Sequence, residues 1–508
     1  MSFDSASLDL CGHVCRLALA VYILPGIFRY LVPKLLNELP SITLSSHPCF
    51  ITCRMPTSID SLPSELLLVI FEHTLPLEKD PLEDPENADA VSPTWPDIFD
   101  LKNGPWVLGQ VCRRWRSIAL SIPQLWSTFY VRLPRRKDSA VDVLQAWLGR
   151  SGNCPLQFQI TATLGFCGHH SGYALLTTLA RTSSRWQSVD LVDVSMKFLD
   201  TLAMQREIRS SSFPLLKELS LRSRDWDIEF DNSPEFEDLS TAYEVFFRAP
   251  NLVTLINFDT LSLSTFKFPW NQLTTYIGSD ASHAIDHLEI MLLCPNLVEC
   301  NIAFGRTHTW PTIPLISLKQ LKRWTIRIRN SSHDIYSLLS QTTIEVPALK
   351  ELILLADPFS LTPILDLFHP VLISSACSLH YLELSGNTVT DSLTRFLESV
   401  ATITRLRIWL NRLAVLPLLE RQDSEALVPM LETLDFGLSE RADIYGFDVI
   451  LLAAVVRSRR QSVHVRSIRR VNIVVDGSEL NIMGTHVFPP IMEVLQEEGL
   501  DIHVCKRN

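Results

Sequence analysis

One six-residue pattern recurs through most of this chain and limits its fold more than any other feature. Apolar residues at i, i+3 and i+5, written L-x-x-L-x-L, fall at Trp186-Val189-Leu191, Leu216-Leu219-Leu221, Leu297-Cys300-Ile302, Leu321-Trp324-Ile326 and Leu349-Leu352-Leu354. They return at Leu379-Leu382-Leu384, Ile403-Leu406-Ile408, Leu431-Leu434-Phe436 and Ile468-Val471-Ile473, with weaker copies beginning at Leu252 and Leu273. Most starts lie 21 to 30 residues apart, a spacing that fits one short strand and one helix per copy. Several copies follow a proline lead: Phe213-Pro214-Leu215, Ala249-Pro250-Asn251, Cys294-Pro295-Asn296 and Val346-Pro347-Ala348. Between copies lie helix-like segments, for example Ser392 to Val400 with Leu393, Phe396, Leu397 and Val400. Neither element buries its apolar face alone, whereas stacked copies share a continuous core and leave a strand-lined surface. The pattern therefore predicts an α/β solenoid over 161–508. The alternative is a non-repetitive α/β domain whose strands happen to contain leucine.

Upstream, Ile59 to Trp126 carries a different signal. Pro63 and Glu65 suit a first helical turn, and Leu66 through Phe71 are six apolar residues in a row. Six consecutive positions circle a helix completely, so this helix needs cover on every side. Farther on, Leu108, Val111, Cys112, Trp115, Ile118 and Ala119 form one apolar stripe on a helix spanning Trp106 to Ala119. Gln110, Arg113, Arg114, Arg116 and Ser117 occupy its other face. The second helix offers one face and the first needs two, so something outside this unit is expected to cover the rest.

The run Leu62-Pro63-x-Glu65-Leu66-Leu67-x-x-Ile70-Phe71, then Val111-Cys112-Arg113-Arg114-Trp115-Arg116-x-Ile118-Ala119, then Ile122-Pro123-x-Leu125-Trp126, resembles the F-box, in particular the fungal F-box-like form. The repeats resemble degenerate leucine-rich repeats, poor in the asparagine signature. The combination implies an α+β / α/β chain, with a small helical F-box-like unit at 56–130 ahead of the solenoid. The resemblance implies that Leu62, Pro63, Leu66, Leu67, Ile70 and Phe71 bind a Skp-type adaptor. Leu108, Val111, Cys112, Trp115, Ile118, Leu125 and Trp126 are then the core of the unit. It further implies a non-catalytic, substrate-recognition subunit of an SCF (Skp–cullin–F-box) ubiquitin ligase, acting in the cytoplasm or nucleus. The other reading is a repeat scaffold that binds the adaptor without promoting ubiquitination. The long insert 74–104 departs from the family pattern. It is rich in acid and proline, from Glu78 and Asp80 to Asp97 and Asp100, and reads as a solvated loop.

Composition removes several other functions. With 46% hydrophobic and 20% charged residues, the chain has a globular profile. A net charge of −11 gives no support to nucleic-acid binding. Eleven scattered cysteines fit free thiols, and no phosphate-cradling glycine motif is present. Residues 1–55 are poorly patterned. Leu17 to Phe28 is too short for a membrane span and lacks the basic start of a secretory signal. Cys11, Cys15, His47, Cys49 and Cys53 are weakly spaced for zinc, so no metal, cofactor or membrane partner is expected. Translation from Met55 in place of Met1 stays open, and a chain started there is expected to fold.

The segment 131–160 reads as a basic link from Val131 to Lys137, then a helix capped by Asp138, then a strand with Leu156, Phe158 and Ile160 facing inward. Cys167 beside His169 and His170 is the one arrangement resembling a nucleophile with a base, and its flanking glycines read more simply as a loop. Near the C-terminus, Arg457, Arg459, Arg460, Arg466, Arg469 and Arg470 run without an acidic neighbour. Of these, Arg466, Arg469 and Arg470 are expected to hold an acidic or phosphorylated segment of the substrate, against the alternative of a solvated helix end.

Overall fold

The structure is a computed structural model and describes residues 63–73, 95–102, 104–133, 139–162, 170–210, 212–222, 244–257, 264, 266–279, 284–304, 315–328, 342–409, 412–420, 427–438, 449–461, 465–475 and 490–506. The chain divides into two compact units, Met1–Thr161 with Gly165–Leu179, and Ala162–Leu164 with Ala180–Asn508.

The first unit contains α1 (Ser64–His73), α2 (Pro105–Val111), α3 (Arg113–Ser121), a 3₁₀ turn (Pro123–Trp126), β1 (Thr128–Leu133), α4 (Ala140–Arg150), β2 (Leu156–Ala162) and α5 (His170–Ala180). The single helix expected from Trp106 to Ala119 is two helices. Cys112 breaks it with extended backbone, φ −155° and ψ 171°. Its sulfur then caps α3 by accepting the Trp115 backbone N–H at 3.4 Å. An extended residue between two helices rotates the second relative to the first, so one stripe no longer runs through both. Val111, expected in the core, is accordingly 54% exposed, and Cys112 and Ile118 are half-buried. Leu108, Trp115, Ala119, Leu125 and Trp126 are buried as expected. Replacing Cys112 by alanine removes the cap and is expected to lower stability by about 0.5–1 kcal/mol, with serine restoring it, as measured by urea denaturation.

Two other expectations for this unit need correction. The insert is not solvated throughout, because Pro96 and Ile98 are buried and Tyr130 makes strand-like bonds with 96–98, accepting the Ile98 N–H and donating to the Pro96 carbonyl. The apolar residues Trp95, Pro96 and Ile98 outweigh the acidic composition around them. Gly104 makes this packing fit, since its φ is +63° and a Cβ there would lie 2.6 Å from Pro96 Cβ. Val131 and Leu133, read as part of a basic link, are buried residues of β1. Residues 74–94 and Asp138 lie outside the described residues. On α4, Leu144, Trp147 and Leu148 are buried. Trp147 meets Trp106 and Trp126 edge-on at 5.7 and 5.0 Å. The Arg150 guanidinium lies over Trp106 and Trp126, 4.3 and 4.6 Å from the ring centres. Burial among these rings pulls its pKa down. Strand β2 buries Leu156, Phe158 and Ile160, and Gln159 and Thr161 besides, so it is covered on both faces.

The second unit carries β3 (Trp186–Val192), α6 (Met196–Ala203), α7 (Arg206–Ser210), β4 (Glu218–Arg222), β5 (Thr254–Asn257), β6 (Thr275–Gly278), α8 (Ala284–Leu293), β7 (Glu299–Phe304), β8 (Ile316–Ser317), β9 (Arg323–Ile328), β10 (Ile344–Glu345) and β11 (Glu351–Ser360). It continues with α9 (Thr362–Ser375), β12 (Tyr381–Asn387), α10 (Thr390–Ser399), β13 (Arg405–Trp409), α11 (Arg412–Leu419), β14 (Thr433–Leu438), α12 (Val449–Gln461), β15 (Arg470–Val475), α13 (Pro490–Glu497) and β16 (Asp501–Lys506). Apart from the small pair β8–β10, its strands lie side by side in chain order, from β3 to β16. Among the described residues, these strands pair in parallel throughout.

Every copy of the six-residue pattern lies on one of these strands, and the register stacks the copies. The middle positions Val189, Leu219, Leu255, Tyr276, Cys300, Trp324, Leu352, Leu382, Leu406, Leu434 and Val471 are successive register partners, ending on Ile502. Each is buried, Ile502 included. The proline leads are turns: Leu216, Leu252, Leu297 and Leu349 N–H donate to the carbonyls of Phe213, Ala249, Cys294 and Val346. Proline at the second position of such a turn has its φ already set. Leu393, Phe396 and Leu397 of α10 are fully buried.

The two weaker copies mark a polar spot in the core. Their third positions are Asn257 and Gly278, where larger apolar residues stand elsewhere. His287 of α8 fills the space. Its Nε2–H donates to the Ser279 carbonyl at 3.0 Å and its Nδ1 lies 2.8 Å from Tyr276 Oη. A Cβ on Gly278 would lie 2.4 Å from His287 Cε1 and 2.8 Å from Tyr276 Oη. Burial pushes the Tyr276 phenol well above its ordinary pKa and the Cys294 thiol up to about 12, so both stay neutral.

Candidate functional site

Two surfaces present chemistry. The first is α1. Its Leu67 and Phe71 are fully buried, Phe71 packing on Trp115 with ring centres 4.9 Å apart. These two, expected to bind an adaptor, are held inside the unit. Pro63 is exposed and Leu66 and Ile70 are half-buried. Leu68 and Val69 are also exposed, at 37% and 42%. Among the described residues, then, α1 covers one side and leaves apolar surface on the other. Arg114 of α3 donates to Ser64 Oγ at 3.3 Å, tying the start of α1 to the unit. Leu62 lies outside the described residues.

The second surface is the polar face of the strands in the second unit. Between the inward residues, side chains alternate outward, and the register lines them up. Arg323 donates from Nε to Glu351 at 2.7 Å and from Nη1 to Glu299 at 3.4 Å. Those hydrogen bonds and charges raise its pKa despite partial burial. Asp435, with no exposed side-chain surface, accepts Arg405 Nε and Nη2 at 2.8 and 2.6 Å, Arg407 Nε at 3.3 Å and Asn472 Nδ2 at 2.6 Å. Glu383 accepts the Tyr381 hydroxyl at 2.6 Å and Trp409 Nε1 at 3.0 Å, and faces Arg407 at 3.5 Å. Burial works against the charge on Arg407, but Glu383 and Asp435 outweigh it and its pKa rises. Burial, then Glu383, keeps the Tyr381 phenol protonated.

The C-terminal arginines are largely engaged within the chain. Arg457 and Arg460 pair with Glu498, Arg466 with Glu432, and Arg470 with Asp501 at 2.7 Å. Arg459 is fully buried, donating to the Leu427 and Val428 carbonyls at 3.3 and 2.8 Å, and burial lowers its pKa to about 10. Arg469 is exposed. Their acidic partners lie 30 or more residues away in sequence, which is why the run reads as unopposed charge. The strand-face array escaped sequence reading because its residues occupy the variable positions of the pattern. The alternation in Arg405-Leu406-Arg407-Ile408-Trp409 is the one signal that announces it.

Cys167 and His169, and the candidate zinc ligands before residue 55, lie outside the described residues. Among the described residues, no group of His, Cys, Asp and Glu is placed to hold a metal ion, and no helix is long and apolar enough to cross a membrane. Compared with known proteins, neither a family model nor a curated sequence matches this chain.

Proposed function

We propose that this chain is the substrate-recognition subunit of an SCF-type cullin–RING ubiquitin ligase. Its F-box-like first unit docks a Skp-type adaptor, and its leucine-rich-repeat-like second unit binds the protein to be modified. The observation that carries this reading is the divided burial of α1, with Leu67 and Phe71 inside and Pro63, Leu66, Leu68, Val69 and Ile70 left on an apolar outer side. Apolar surface of that kind on a short helix fits a protein partner. In such a complex the chain performs no chemistry. It raises the effective concentration of substrate at the catalytic subunits.

Leu66 and Ile70 are partly exposed, so shortening them is expected to cost the fold less than shortening the fully buried Leu67 or Phe71. The Leu66→Ala/Ile70→Ala variant is expected to bind a Skp-type adaptor at least about thirty-fold more weakly, the loss typical of an interface centre. The measurement is adaptor titration, with cullin co-purification alongside. A folded variant that keeps wild-type affinity removes the adaptor reading. Adaptor and cullin binding without ubiquitin transfer to any bound protein favours the scaffold reading instead.

A further inference from the structure

The ion pairs on the strand face share an orientation. In each, the guanidinium is more exposed than the carboxylate: 45% against 0% for Arg405 and Asp435, and 43% against 25% for Arg323 and Glu299. The same order holds for Arg407 with Glu383, Arg470 with Asp501, and Arg222 with Asp190. The carboxylate is the deeper partner in each pair, by a wide margin at Asp435 and a narrow one at Asp501, in a chain whose net charge is −11. A guanidinium has five N–H donors. Arg405 spends Nε and Nη2 on Asp435, and Arg470 spends Nε on Asp501, so further donors face outward with their planes already fixed.

We infer that the row Arg323, Arg405 and Arg470, with Tyr381 between, binds an extended acidic segment of a partner protein. The inference rests on the reading of the second unit as the partner-holding part, and of the C-terminal arginines it keeps Arg470, with Arg323 and Arg405 of the strand face in place of Arg466 and Arg469. Arg323, Glu351, Tyr381, Arg405, Thr433 and Arg470 are successive register partners. With strands about 4.8 Å apart, Arg323 stands roughly 14 Å from Arg405, and Arg405 roughly 10 Å from Arg470. An extended chain advances about 3.3 Å per residue and turns every second side chain to the same face, so it meets them with carboxylates four and then two residues apart, the flexible glutamate side chains spanning the remaining few ångströms. Each carboxylate gains a fork of pre-oriented N–H groups, and Arg405 is further steadied over the Tyr381 ring at 5.5 Å. Because the paired acids nearly cancel the arginines at a distance, recognition acts at contact range and not through a long-range field.

The test uses the full chain and a fluorescein-labelled peptide of glycine and serine with glutamates at its third, seventh and ninth positions. A peptide with glutamines there is the control, and anisotropy is the readout. The glutamate peptide is expected to bind at least tenfold more tightly than the control. Arg323→Gln/Arg470→Gln is expected to remove most of that difference, while Arg469→Gln leaves it. Hydrogen exchange on the wild-type protein gives an independent reading, with protection expected on β9 to β15. Equal binding of the two peptides, protection elsewhere, or an unchanged difference in the folded double variant each overturns the inference. Adaptor titration of the same double variant is expected to match wild type. Peptide binding without any adaptor binding would refute the ligase reading and leave this surface standing.

Discussion

Replacing Asp435 by alanine is expected to cost the second unit about 2–4 kcal/mol, seen as a lower urea midpoint. The carboxylate is fully buried and accepts four hydrogen bonds, from Arg405, Arg407 and Asn472. Arg405 is partly exposed and can turn to water, which limits the loss. Arg407 is less exposed, and Asn472 loses the acceptor it holds at 2.6 Å. Asp435→Asn keeps the shape but not the charge and is expected to fall between. Asp501→Ala, at a pair exposed on both sides, is expected to leave the midpoint where it is. Equal effects at the two positions would mean that Asp435 is not the centre of the array.

Gly278→Ala is the second large effect, about 2–4 kcal/mol from a single added methyl group. The new carbon would come within 3 Å of His287 and Tyr276. One of them must move, breaking the bond between them or the bond from His287 to the Ser279 carbonyl. Gly278→Ala/His287→Ala relieves the clash, so the double variant is expected to be more stable than the sum of the single changes predicts. Strict additivity, measured by the same denaturation, would show that the two residues do not compete for this space.

The second unit was the more legible because its signal is periodic. Eleven placements of one pattern give register as well as strand identity, since partners at the same template position must align to share a core. β16 escaped because its first template position is Gly499, with φ +87°, which ends α13. The Leu500 N–H closes back on the Leu495 carbonyl at 2.9 Å. The break at Cys112 was not legible, because an apolar stripe reads the same on one helix as on two helices whose phases differ. Long-range ion pairs are invisible to a reading made in windows. Arg466 and Glu432 are 34 residues apart, and neither position advertises the other. Six apolar residues in a row show that α1 needs cover on every side. Which two of them turn inward follows from the position of Trp115, and sequence does not carry that.

The stacking of template positions has a consequence for how the chain finds its fold. Leu352 partners Leu382, 30 residues on, and Leu382 partners Leu406, 24 residues on. Each strand closes only onto its neighbours, so the loop to be closed stays near this size however long the chain grows. Closure entropy rises only with the logarithm of loop length. Strand addition is therefore expected to proceed as a zipper, in which one paired unit is the template for the next. A large parallel sheet, ordinarily a slow topology, is assembled here from short-range steps.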